Sequence, residues 1–159
     1  AKLRGAKRII AMSRHADRQA LARDFGATDI IAERGDEAIE KVMALTNQAG
    51  ADAVLECVGT ELSNETAMKA ARPGAIVGRV GLPHEPKMDM TASFYNNTII
   101  AGGPASVTTY DKQLLLKAVL DGDIQPGKVF TKRFTLDEID DAYQAMTKRE
   151  AIKALITID

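Results

Sequence analysis

Apolar positions along the chain switch between two periods. Short β-rich runs at 8–12 (RIIAM), 29–32 (DIIA), 53–58 (AVLECV), 75–80 (AIVGRV) and 98–101 (TIIA) predict strands. Between them the spacing turns helical. Residues 16–25 place Ala20, Leu21 and Phe25 on one face, and residues 36–47 do the same with Ile39, Val42, Met43 and Thr46. Gly26 is the expected stop of the first helix, because glycine enters the left-handed conformation without steric cost. Thr60 is a candidate cap for a helix that runs to about 71 and stops before Pro73-Gly74. Further on, the pattern predicts a helical turn at 93–97, a helix at 110–121 and a strand at 129–134. An amphipathic helix at 137–148, with Ile139, Ala142, Tyr143 and Met146 at helical spacing, and a closing strand at 152–158 complete the chain. Residues 1–5 read as the tail of a helix ending at Gly5.

Strands alternating with helices predict an α/β fold with a parallel sheet. Residues 8–28, RIIAMSRHADRQALARDFGAT, read as strand, charged turn, helix and glycine stop, the second half of a βαβ nucleotide-binding unit. The glycine-rich loop that opens such a unit is expected to be missing, since the chain begins at Ala1.

Composition narrows the function classes. A chain of 159 residues fits one domain. With 45% apolar and 27% charged residues it is an ordinary globular sequence. A net charge of −1 favours neither nucleic acid nor an anionic membrane as a partner. No apolar run approaches the roughly 20 residues that span a bilayer, and no signal peptide is visible. The single Cys57 excludes an intrachain disulfide and suits a reducing, cytoplasmic setting. Cys57, His15 and His84 are too few and too scattered for a closed zinc site. His15 reads as a helix-start residue and His84 as a loop residue.

In a dinucleotide-binding fold the end of the second strand faces the adenosine ribose, where an Asp or Glu selects NAD. Here that place holds Ser13, followed by Arg14, with Arg18 a helical turn later. A small hydroxyl and two guanidinium groups at i and i+4 suit a 2′-phosphate at a helix start, which points to NADP, with NAD as the alternative.

Four segments together resemble the zinc-dependent medium-chain alcohol dehydrogenase family: GAKRIIAMSR with DFGATDII, then ADAVLECVG, then ARPGAIVGRVGLP, then FTLDEIDDAYQAMTKREAIKALITID. The resemblance covers the family's C-terminal part. It implies a Rossmann-type doubly wound parallel sheet lacking its first strand, at 1–100, followed at 101–159 by a C-terminal segment that packs with the catalytic domain. It further implies that Ser13 replaces the ribose-binding Asp and that Arg18 lies near the ribose. The backbone of Cys57, Val58 and Gly59 would line the cofactor groove. Val80, Gly81 and Leu82 would hold the nicotinamide carboxamide, Ile99 and Ala101 would make a second contact to it, and Lys153 would stand near the pyrophosphate. No catalytic or zinc-ligating residue falls in this chain. The zinc ligands would belong to the intact parent, an alcohol dehydrogenase, and the chain alone is expected to be inactive.

Strand order 3-2-1-4-5-6 makes the absent first strand central. Its loss leaves strands 8–12 and 53–58 with unpaired edges, and each buried unpaired backbone group costs about 1–3 kcal/mol. Direct pairing of those two strands, a strand from another chain, or association with the missing N-terminal part or with further copies would relieve this. Alternatives are a zinc-free quinone or enoyl reductase, a non-catalytic self-associating fragment, and a doubly wound module such as a methyltransferase.

Overall fold

The computed structural model describes every residue except 83–88, 104–107 and 159. His84 therefore lies outside the described residues. The chain divides into two compact units, a sheet unit of Ile10–Arg14 with Asp29–Val107, and a terminal unit of Ala1–Ile9, His15–Thr28 and Thr108–Asp159.

In the sheet unit, β1 (Ile10–Met12) pairs in parallel with β2 (Asp29–Ile31), Ile10 opposite Asp29 and Met12 opposite Ile31. A second parallel sheet has the order β3-β4-β5, from Ala51–Glu56, Ala71–Arg79 and Ile99–Gly102. Helix α3 (Glu61–Ala70) makes the β3–β4 crossover, as parallel pairing requires; α2 (Gly35–Leu45) lies between β2 and β3 in the chain, and α4 (Met90–Tyr95) precedes β5. Among the described residues β1 pairs only with β2, and β3 pairs on one side only, with β4. Direct pairing of β1 with β3 does not occur, so each presents a free edge.

The core of this unit forms where the helical and strand periods meet. Ile31 of β2, Ala38 and Val42 of α2 and Ala70 of α3 are buried together, with Ile10, Leu45 and Ala51 packed around them. The helix pattern placed Val42 inward. It omitted Ala38, four residues earlier on the same stripe and wholly inaccessible. Thr60 caps α3 as expected, its hydroxyl accepting from Ser63 N–H at 3.2 Å.

The terminal unit contains α1 (Ala16–Asp24), α5 (Thr109–Leu120), β6 (Phe130–Thr135), α6 (Ile139–Thr147) and β7 (Lys153–Thr157). Strands β6 and β7 are parallel, joined through α6. Gly5 and Gly26 both adopt positive φ, at 79° and 101°, where the chain leaves a helical turn and α1. In α6 the buried residues are Ala142 and Ala145, while Tyr143 is 63% exposed. Residues i and i+3 share the inner line and the tyrosine sits about 100° off it. Thr135 opens the turn before α6 through a reciprocal cap. Its N–H and hydroxyl both donate to Glu138, which holds that carboxyl below its ordinary pKa.

Candidate functional site

At the C-terminal ends of β3, β4 and β5 three residues stand side by side in register: Glu56 opposite Arg79, and Arg79 opposite Gly102. In open parallel sheets this is the end where ligands bind. Beyond the rim the backbone makes two turns, 57–59 after β3 and 80–82 after β4, and both are tied to Glu56. Its side-chain Oε1 accepts from Val58 N–H at 2.7 Å and Gly59 N–H at 2.8 Å. Its main-chain oxygen accepts from Val80 N–H at 2.7 Å and Gly81 N–H at 3.0 Å. One residue thus holds one turn by its side chain and the other by its backbone.

The glycines make this interlocking physically possible. Gly59 has φ of +87°, and a Cβ there would collide with the carbonyl oxygen of Leu82. A Cβ on Gly81 would lie 2.6 Å from both Val58 N and Gly59 N. The turns therefore touch backbone to backbone, with no room for a side chain between them. The structure brings Cys57, Val58, Gly59, Val80, Gly81 and Leu82 together, while Ile99 and Ala101 lie on β5, the next strand of the same sheet.

Glu56 is 4% exposed, an unusual position for a carboxylate. Burial pushes its pKa upward. The N–H groups of Gly59 and Val58 and the nearby Arg79 charge outweigh that and hold it below the ordinary carboxylate value. It is therefore ionised at neutral pH. Its neighbour Cys57 is exposed as a residue, yet partial burial of the thiol, and then the Glu56 charge, raise the thiol pKa. A protonated thiol is a poor nucleophile.

Outward, the rim is apolar. Val58 is 65%, Val80 69% and Leu82 74% exposed. With the N–H groups of Val58, Gly59, Val80 and Gly81 engaged by Glu56, a ligand at this rim meets aliphatic side chains.

The ribose-side candidates divide between the units. Ser13 and Arg14 follow β1 in the sheet unit, where Ser13 N–H donates to Ile31 O at 3.0 Å and extends the β1–β2 pairing. Arg14 is exposed. Arg18, on α1, and Lys153, at the start of β7 opposite Phe130, belong to the terminal unit. In that unit the ring of His15, the N-cap residue of α1, lies 3.0 Å from a guanidinium nitrogen of Arg149. Glu33, just past β2, pairs with Lys41 at 2.6 Å, and that lysine lowers the carboxyl pKa.

Sequence reasoning missed Glu56 as a hub and Ala38 as core. For Glu56 a signal existed: an acid at the last strand position before x-x-Gly, with two N–H groups within side-chain reach. Among the described residues no cluster of three or more His, Cys, Asp or Glu could hold a metal, and no helix is long and apolar enough to cross a membrane.

Residues 1–114 match the model of a family described as zinc-binding dehydrogenase. Over 158 residues the chain is 31% identical to an L-threonine 3-dehydrogenase of Bacillus licheniformis, covering 98% of this chain and 46% of that protein. It is 26% identical to an alcohol dehydrogenase of Malus domestica, over all of this chain and 43% of that protein. The solved alcohol dehydrogenase TADH of Thermus sp. ATN1 superposes with a TM-score of 0.89 at 28% identity, over 99% of this chain and 46% of that one. The chain spans about half the length of the curated relatives it matches.

Proposed function

The chain belongs to the zinc-binding dehydrogenase family, and from that premise we propose that it is the coenzyme-binding part of an alcohol dehydrogenase that transfers hydride between an alcohol and NADP. The observation that carries this is the rim of β3, β4 and β5. Two turns interlocked on Glu56 present Val58, Val80 and Leu82 where a nicotinamide ring would lie.

Within the sheet unit, Cys57, Val58 and Gly59 line the groove, Val80, Gly81 and Leu82 seat the carboxamide, and Ile99 and Ala101 complete that contact. Ser13 and Arg14 take the 2′-phosphate of NADP, a hydroxyl and a guanidinium in place of the carboxylate that would repel it. On sequence and resemblance alone, Arg18 and Lys153 contact the ribose and the pyrophosphate. The bound nicotinamide supplies the hydride-accepting carbon; the chain's residues bind it, orient it and select its phosphate. By the resemblance, the zinc ligands belong to the intact parent enzyme, and the chain alone does not turn over substrate. Residues 1–100 form the coenzyme-binding portion and 101–159 the segment that packs with the catalytic domain. The chain works in the cytoplasm, in association with that domain or with further copies.

Fluorescence titration with NADPH and with NADH tests this. The expected result is tighter NADPH binding, reversed when Ser13→Asp and Arg14→Ile are combined. Equal affinity for both cofactors, unchanged by the double substitution, would remove the phosphate assignment. Binding of neither would remove the groove.

A further inference from the structure

Resting on the cofactor-groove assignment above, we propose that Glu56 is the positioning residue of that groove, its carboxylate fixing the 57–59 turn against the 80–82 turn so that both present their surfaces to the nicotinamide end of the cofactor.

Three independent features of the geometry meet at this residue. The first is its double use: Oε1 takes the N–H groups of Val58 and Gly59 at 2.7 and 2.8 Å, while the peptide oxygen takes those of Val80 and Gly81 at 2.7 and 3.0 Å. The main-chain bonds do not depend on the side chain; the bonds to Val58 and Gly59 are lost when the side-chain acceptor is removed. The second is the absence of slack. Gly59 lies against the Leu82 carbonyl and Gly81 against the N atoms of Val58 and Gly59. A shift of the first turn is therefore passed directly to the second. The third is burial. At 4% exposure the carboxylate is out of reach of a ligand, so it acts through the turns and not by touching the cofactor.

A buried, ionised carboxylate at this place has a physical purpose. Its bonds to N–H groups are charge-assisted, stronger than those a neutral acceptor makes. It also leaves the outward surface of both turns to aliphatic groups, Val58, Val80 and Leu82, which a charged residue facing the groove would spoil for an uncharged ring.

The test uses the chain itself and two variants, Glu56→Ala and Glu56→Gln. Glutamine keeps the length and one carbonyl acceptor but not the charge; alanine keeps neither. Backbone amide exchange is followed at Val58 and Gly59, with Val77 in the core of β4 as the internal standard, and NADPH affinity is measured by fluorescence titration. For Glu56→Ala the amides of Val58 and Gly59 should exchange at least about tenfold faster, and NADPH should bind at least about tenfold more weakly. Glu56→Gln should recover most of both losses, leaving about threefold. Val77 exchange should be unchanged in each. A role confined to global stability would accelerate Val77 together with the turn amides, and that result overturns the proposal. Normal NADPH affinity in a variant whose turn amides have been freed overturns it too, while leaving the groove assignment standing. If the wild-type chain binds neither NADPH nor NADH, the groove assignment falls and the proposal with it. Should the alanine variant not fold, Glu56→Gln decides alone: wild-type exchange and wild-type affinity would show that the charge positions nothing.

Discussion

The two faces of β3 and β4 are built from the same strands and end in different states. On one face Ala75 and Val77 are 1% and 2% exposed and Glu56 is 4% exposed, in the layer that α3 packs against. On the other, Leu55 is 64% and Ile76 47% exposed. Ile76 and Val77 are consecutive, so the change from open to closed happens within one residue, as a period of two demands. The strand residues were chosen for burial on both sides, which is how all-parallel sheets are normally covered. One of these faces is covered here and the other is open. The difference separates what the strand sequence supplies, apolar residues on both faces, from what packing supplies, a layer that covers only one of them.

Substitutions can break or sharpen that contrast. The largest effect is expected at the rim of the finished side. Gly59→Ala must place a Cβ into the Leu82 carbonyl from a positive-φ backbone, and should destabilise the fold by about 2–4 kcal/mol in denaturant unfolding. A neutral result would mean that the two turns are not in contact.

Next comes the paired comparison of Val77→Ala with Ile76→Ala. Removing the buried side chain should cost roughly 1.5–3 kcal/mol, whereas its exposed neighbour should cost under about 1 kcal/mol. Equal costs would show that the open face is covered in solution, and sedimentation would then report a larger species.

The smallest effect expected is electrostatic. The Glu56 carboxyl has a folded-state pKa below its unfolded value. Its contribution to stability is therefore present above the unfolded pKa of about 4.3 and is lost as pH falls through the lower folded value. Between pH 7 and 5 it should be constant. Comparing urea midpoints of wild type and Glu56→Gln from pH 6 down to pH 3 checks this: the gap between them should narrow only below about pH 4.3. A gap that widens on acidification would reverse the sign and imply a carboxyl stabilised in its protonated form.

Much of the architecture could be read before any coordinates. The order of strands and helices, the stops at Gly5 and Gly26 and the cap at Thr60 all follow from local rules, because each depends on residues within a few positions of one another. Boundaries shifted by a few residues, most at β4, which starts at Ala71 and not at 75. The apolar stripe of α6 was legible, but not which of its edges would close: Ala142 is buried and Tyr143 stays exposed, since a stripe read from sequence does not say which edge meets a neighbour. The candidate site was legible as a set of turn residues after strand ends. Its organising member left only a faint local mark, an acid three residues before Gly59, since nothing local shows that an acid at a strand end will be buried.

The sequence by itself determined the periodicities, the punctuation between them and the chemistry available at each turn. Only the tertiary structure decided that Glu56 would accept from two turns at once, that Gly59 and Gly81 would be pressed against peptide groups more than twenty residues away in the chain, and which face of β4 would close. The physical reason is that hydrogen-bond partners and burial belong to pairs of distant segments. Backbone preference and side-chain period belong to each segment alone.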